Sequence, residues 1–284
     1  MAQQYRLASR TWKAEPTVVE LPGGLTIGGH DVVVIAGPCA VESEAQILET
    51  AGVVRVAGGT LLRGGAFKPR TSPYAFQGLG LEGLRLLAKA REASGLPIVT
   101  EAMDAESVRV VAEYADIIQI GSRNMHNVSL LRSAARSGKP ILLKRGMAAT
   151  IPELLQSAEY LLNEGNWNVI LCERGLRGFD PTTRNVFDVA AIPVLRELSH
   201  LPIIADPSHG TGRREAVTPV TRAALAAGAD GVLVEVHPHP AAALSDGRQS
   251  LNAEQFRSLM ADVHRMAEAM GRGVASPPAV PAQS

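Results

Sequence analysis

Eight short apolar runs punctuate the chain, and each ends in polar or charged residues before an amphipathic stretch begins. The runs and their endings are VVVIAGPC (Cys39), TLLRGG (Arg63), PIVTE (Glu101), DIIQIGSR (Arg123), PILLKRG (Lys144), NVILCER (Glu173 and Arg174), PIIADPSH (Asp206 and His209) and DGVLVEVHP (Glu235). Continuous apolar runs of this length read as parallel strands covered on both faces. The stretches between carry apolar residues at three- and four-residue spacing with Glu, Arg and Lys between, which reads as helices packed on one face. They comprise Ser43 to Ala57, then LEGLRLLAKAREASG, AESVRVVAEYA, NVSLLRSAARSG, TIPELLQSAEYLLNEG, VFDVAAIPVLRELS, REAVTPVTRAALAAG and AEQFRSLMADVHRMAEAMG. Gly95, Gly138, Gly165 and Gly228 stand where helix C-caps belong. Strand-then-helix units in this number predict a (β/α)8 TIM barrel, with an open doubly wound sheet as the alternative. A closed barrel brings every strand C-terminus to one rim, so residues scattered along the chain would face one pocket.

The barrel is expected over residues 31–272. Residues 1–30 read as a short extension in which VVELPGGLTIGG forms a β-hairpin around Pro-Gly-Gly, placed to cap the N-terminal end of the barrel. GVASPPAVPAQS lacks periodicity, and residues 273–284 are expected as a disordered tail. Hydrophobic residues are 46% and charged residues 20%, the balance of a soluble globular chain. Lys+Arg and Asp+Glu are 28 each, and a net charge of zero gives no support for nucleic-acid or membrane binding. The start MAQQYRLASRTWK lacks an apolar signal segment, and no run approaches the ~20 residues of a membrane span. A cytoplasmic location is expected. The two cysteines suggest no disulfide framework: Cys172 sits inside an apolar run as a small hydrophobe, while Cys39 follows Gly-Pro just past a strand.

Two constellations carry chemistry. Arg63, Lys68, Arg70, Arg123, Lys144, Arg145, Arg174 and Arg177 fall at or just after strand ends. Cations on a barrel exterior are ordinary, but their concentration at one end of each unit points to an anionic substrate, since arginine binds phosphate and carboxylate bidentately. The loop KPRTSPYAFQGLG adds backbone and hydroxyl donors. Cys39, His209, Glu235 and Asp246 form a second set, suited to a borderline divalent metal. Their spacing matches no short metal motif, so this reading depends on the barrel bringing them together. Each alone has a plain structural role available, such as a turn residue for Asp246 in LSDGRQS. His237 and His239 in VHPHP lie in a stiff loop and read as structural or outer partners. Glu101 is a candidate acid/base or lysine partner, and Asp206 is placed to orient a lysine or a sugar hydroxyl.

The strings GPCAVES, LLRGGAFKPRTSPYAFQG, IGSRNM, LLKRG, DPSHGTG and VEVHP occur in this order and resemble the 3-deoxy-D-arabino-heptulosonate 7-phosphate (DAHP) synthase family, its I-beta subfamily above all, over about residues 30 to 270. The resemblance implies condensation of phosphoenolpyruvate with erythrose 4-phosphate at the head of the shikimate pathway. It implies a divalent metal (Mn, Fe, Co, Zn or similar) on Cys39, His209, Glu235 and Asp246. Arg63, Lys68, Arg123, Lys144 and Arg174 would hold phosphoenolpyruvate, with Glu101 and the backbone near Ser122 close by. Lys68, Pro69, Arg70, Thr71 and Ser72 would receive erythrose 4-phosphate. Lys68, Glu101 and His209 are the residues expected nearest the chemistry, Lys68 as first choice to deliver a proton to the aldehyde oxygen and water on the metal as the alternative. His126 and Val128 depart from the Gln and aromatic residue expected there, which bears on subunit or loop packing. Without an added regulatory domain the chain reads as a short form, in a family of dimers and tetramers. The nearest rival is 3-deoxy-D-manno-octulosonate 8-phosphate synthase, which typically has a K-A-N-R-S-S loop where this chain has KPRTS. A non-catalytic anion-binding barrel is the rival of another class, and a generic metal-dependent aldolase the third.

Overall fold

The computed structural model describes residues 5–68, 72 and 74–279. Two short strands, β1 (Val19–Glu20) and β2 (Thr26–Ile27), precede eight longer ones. These are β3 (Val33–Gly37), β4 (Leu61–Arg63), β5 (Ile98–Ala102), β6 (Ile117–Ile120), β7 (Ile141–Lys144), β8 (Val169–Glu173), β9 (Ile203–Ala205) and β10 (Gly231–Glu235). They pair in parallel, each with its sequence neighbours, and β10 returns to β3, so the barrel is closed and no open edge remains. The helices between them are α1 (Glu44–Val56), α2 (Leu81–Ser94), α3 (Ser107–Tyr114), α4 (Val128–Arg136), α5 (Ile151–Asn163), α6 (Ala191–Leu198), α7 (Pro207–Thr211) and α8 (Arg214–Ala226), with α9 (Ala253–Ala269) last. This is the expected (β/α)8 architecture, and the doubly wound sheet is excluded by closure.

Strand alternation sorts the core into two layers. Val33, Ile35, Leu61, Val99, Ile117, Leu142, Ile170, Cys172, Ile204 and Leu233 point into the barrel and pack together. The alternate residues, such as Val34, Leu62, Ile98, Ile118, Leu143, Leu171 and Val232, point out and pack under the helices. Cys172 is therefore interior packing, and burial pushes its thiol up out of the reactive range. Val19, Leu21, Leu25 and Ile27 of the hairpin join the inner layer, so the hairpin closes the barrel below the strand starts. Gly95, Gly138, Gly165 and Gly228 end helices at φ of 72°, 71°, 92° and 98° as expected.

Two segments differ from expectation. The stretch VFDVAAIPVLRELS becomes helical only at Ala191. Val186 instead pairs antiparallel with Leu176, and the Asp188 carboxylate accepts from the Ala191 backbone at 3.1 Å, so the helix starts after it. The segment after PIIAD, expected as a loop, contains the five-residue α7. Past residue 272, Val274 pairs with Val32, and the Pro278 carbonyl accepts from Arg55, while residues 280–284 lie outside the described residues.

Candidate active site

The inward parity of the strands continues past their apolar residues and sets the site. Arg63 lies two residues after inward Leu61, Glu101 two after Val99, Gln119 two after Ile117, and Lys144 two after Leu142. Asp206 follows Ile204 by two and Glu235 follows Leu233 by two. The apolar floor thus gives way to a polar layer at the C-terminal mouth, the end where barrels of this type hold their sites. A cavity of about 340 Å³ opens there. Among the described residues its lining includes Arg63, Lys68, Arg123, Lys144, Arg174 and Arg184 against two carboxylates, Glu101 and Asp246.

On one side of the mouth lie the four expected metal donors. One ligand atom from each of Cys39, His209, Glu235 and Asp246 can be chosen so that all lie within 4.8 Å of one another. Asp206 caps α7, accepting from the His209 backbone at 2.9 Å and meeting His209 Nδ1 at 2.7 Å. This turns Nε2 toward Glu235 Oε1 at 3.2 Å and Asp246 Oδ2 at 3.9 Å. Cys39 Sγ lies 3.0 Å from Asp246 Oδ2 and 2.9 Å from Lys68 Nζ. Asp246 adopts a left-handed backbone at φ 52°, the only non-glycine among the described residues to do so. Burial opposes charge on Asp206 and Glu235, but His209, with Lys144 for the first and Arg63 for the second, holds both well below the usual carboxylate range. Burial likewise works against the charged imidazole, and the Asp206 and Glu235 carboxylates overcome it, raising His209 to about 9. Soft sulfur, imidazole nitrogen and two carboxyl groups in one partly buried cluster fit a divalent transition metal.

On the other side lie the cations. Arg63 meets Glu235 at 2.9 Å and Lys144 is paired with Asp206. Arg174 is 4% exposed, donates to the Gly175 carbonyl at 3.2 Å, and has no carboxylate partner among the described residues. Burial lowers its pKa. A buried guanidinium in that state favours an anionic ligand. Glu101 accepts from Gln119 Nε2 at 2.9 Å. A Cβ at Gly121 would stand 2.1 Å from Glu101 Oε1, so glycine lets the Ser122–Asn124 turn, with Ser122 and Arg123, approach the carboxylate as it is placed here.

Two cations expected at the rim do not reach the cavity. Arg145 is one residue past Lys144, so its side chain leaves on the outer face, where it binds Glu173 at 2.8 Å and Asp188 at 2.9 Å. Glu173 is on that outer face for the same reason. Arg177 is exposed, and its backbone donates to Met147. Pro69, Arg70 and Thr71 lie outside the described residues, while Ser72 is exposed and does not line the cavity. His237 contacts Glu42 at 3.3 Å, an outer position. Arg184 and Gln249 were absent from the expected set. Arg184 sits in the long loop after β8, where the same reasoning that selects Arg123 applies, whereas a neutral Gln249 carries no comparable signal.

A profile of the DAHP synthetase I family matches residues 14–270. The chain is 52% identical over 267 residues to a phospho-2-dehydro-3-deoxyheptonate aldolase of Thermotoga maritima, covering 94% of this chain and 79% of that one. It is 37% identical over 259 residues to a 2-dehydro-3-deoxyphosphooctonate aldolase of Syntrophotalea carbinolica, covering 84% and 92%. The crystal structure of a Thermotoga maritima DAHP synthase superposes with a TM-score of 0.93 at 51% identity, covering 95% of this chain and 79% of that chain. A truncated form of the Thermotoga maritima synthase superposes with a TM-score of 0.90 at 47% identity, covering 96% and 100%. With a family match across the barrel and a relative 52% identical over 94% of the chain, the chain belongs to the DAHP synthetase I family.

Proposed function

We propose that the chain is a 3-deoxy-7-phosphoheptulonate synthase, condensing phosphoenolpyruvate with D-erythrose 4-phosphate and water to give DAHP and phosphate, the first step toward chorismate and the aromatic amino acids. The observation that carries this reading is one cavity in which buried, carboxylate-free Arg174 stands beside a four-donor cluster. Cys39, His209, Glu235 and Asp246 would hold a divalent cation, which when bound supplies Lewis-acid polarisation of the aldehyde oxygen. Arg174, Arg123, Lys144 and Arg63 bind the enol phosphate and offset repulsion between two anionic substrates. Holding both in reach matters because C3 of the enol phosphate is a weak nucleophile. C3 bonds to the aldehyde carbon, water adds at C2, and the C2 phosphate leaves. Lys68 is the proton donor to the aldehyde oxygen, and the Lys68–Ser72 loop receives the sugar phosphate. Asp206 orients His209 and Lys144. Glu101 and the Ser122 backbone line the enol phosphate side. No helix among the described residues is long and apolar enough to cross a membrane. A cytoplasmic location and a homo-oligomer, a dimer or tetramer, belong to this reading through the family resemblance.

The test is phosphate release with erythrose 4-phosphate or arabinose 5-phosphate, after chelator treatment and readdition of Mn, Fe, Co or Zn. Activity on the four-carbon sugar that disappears on chelation and returns with metal is expected. A preference for arabinose 5-phosphate would move the chain to octulosonate synthesis, the activity named for its 37% identical relative. Full activity in the metal-free protein would sink the metal role.

A further inference from the structure

Two residues outside the four donors fasten the cluster. Gln249 is buried, and its Nε2 donates to Glu235 Oε2 at 2.5 Å. Its Oε1 accepts from Arg184 Nη1 at 3.3 Å, and the same Nη1 lies 3.3 Å from Asp246 Oδ1. An unbroken run Glu235–Gln249–Arg184–Asp246 therefore joins the two carboxylates. The oxygens it takes are not those that meet the other donors. Glu235 Oε1 faces His209 Nε2 at 3.2 Å and also receives Arg63, while Asp246 Oδ2 faces Cys39 Sγ at 3.0 Å.

The chemistry of each link is specific. A carboxylate on one side and a guanidinium on the other fix which way the Gln249 amide points, and a neutral amide adds no charge beside Glu235. The backbone of Arg184 is tied to the helix that carries His209, its N–H donating to the Thr211 carbonyl at 2.9 Å. Loops after β8 and β10 are thus locked to α7 at the cluster.

We propose that Arg184 and Gln249 are positioning residues of the cation site: they hold Glu235 and Asp246 to one coordinating oxygen each and so set affinity and coordination number. This rests on reading the four donors as a divalent-cation site. Outer partners of metal ligands are commonly worth about 10–100-fold in affinity.

The experiment is Mn2+ titration of the metal-free full chain by calorimetry, for wild type, Gln249→Ala, Gln249→Glu, Arg184→Gln and Arg184→Lys. Phosphoenolpyruvate binding without metal is measured in parallel, as is the visible spectrum of the Co2+-loaded protein. Gln249→Ala and Arg184→Gln should weaken Mn2+ about 10–100-fold, with Arg184→Lys recovering most of the loss. Gln249→Ala should leave phosphoenolpyruvate binding intact, since Gln249 does not line the cavity. Its Co2+ bands should weaken and shift as a freed carboxylate becomes bidentate. Gln249→Glu, which keeps the shape but sets a second acid against Glu235 Oε2, should lose the clamp without loss of fold. Unchanged Mn2+ affinity and unchanged Co2+ bands in Gln249→Ala and Arg184→Gln would overturn the clamp while leaving the cation site standing. A wild type that binds no Mn2+ or Co2+ overturns both.

Discussion

His209 sits between Asp206 and Glu235, and without metal its imidazole keeps a proton to about pH 9. A metal requires the neutral ring. Mn2+ affinity should therefore rise about tenfold per pH unit up to about 9 through this one proton, and calorimetry at several pH values checks it. A flat profile would mean that His209 is not a ligand or does not hold this proton. In the metal-free protein the same raised pKa contributes stability below the ordinary histidine range. That contribution is lost as pH rises through about 9. Gly121 offers a second residue-scale test. A methyl group 2.1 Å from Glu101 Oε1 must displace the carboxylate or the turn. Gly121→Ala should cost about 1–3 kcal/mol and weaken phosphoenolpyruvate binding; a melt and a titration equal to wild type would contradict this. At this scale residue types were legible, but facing was not. Lys144 and Arg145 are adjacent cations after the same run, and only strand parity sends one into the cavity and the other to Glu173.

The hairpin and the helix caps act away from the chemistry. Ile27 is fully buried in the inner layer at the opposite end of the barrel from the cavity. Ile27→Ala should cost about 2–5 kcal/mol in thermal or denaturant unfolding, with kcat unchanged at temperatures where the variant is folded. A matching loss of kcat would show that the two ends are coupled. Thr150 caps α5 in a reciprocal box with Glu153, so Thr150→Ala should cost only about 1 kcal/mol. Element existence was legible because the period of the apolar residues switches between strand and helix. The start of α6 was not: VFDVAA is apolar enough to read as helix, yet Val186 is drawn into pairing with Leu176 and Asp188 is occupied by Arg145.

The whole molecule is neutral, yet the described lining of its cavity is cationic. Opposite charge is thus separated in space rather than absent, and the mouth draws in anions. Raising ionic strength from about 0.1 to 1 M shortens the screening length from about 10 to 3 Å. KM for both phosphorylated substrates should rise over that range while kcat changes less. Steady-state kinetics in KCl series check it, and a KM indifferent to salt would mean that local contacts alone govern capture.

The chain by itself determined the repeat of strand and helix, the polar type of residue at each strand end, and a family resemblance carried by separated motifs. Those properties are local: each needs only a few neighbouring residues and the period of the backbone. The tertiary structure alone decided which strand ends share the cavity. It paired Cys39 with Asp246 across 207 positions of sequence, turned Arg145 and Glu173 away from the mouth, and brought Arg184 and Gln249 behind two carboxylates. The reason is closure. Until β10 meets β3 and the register is set, no residue has a fixed inward or outward side, and no spacing along the chain states which loops will touch.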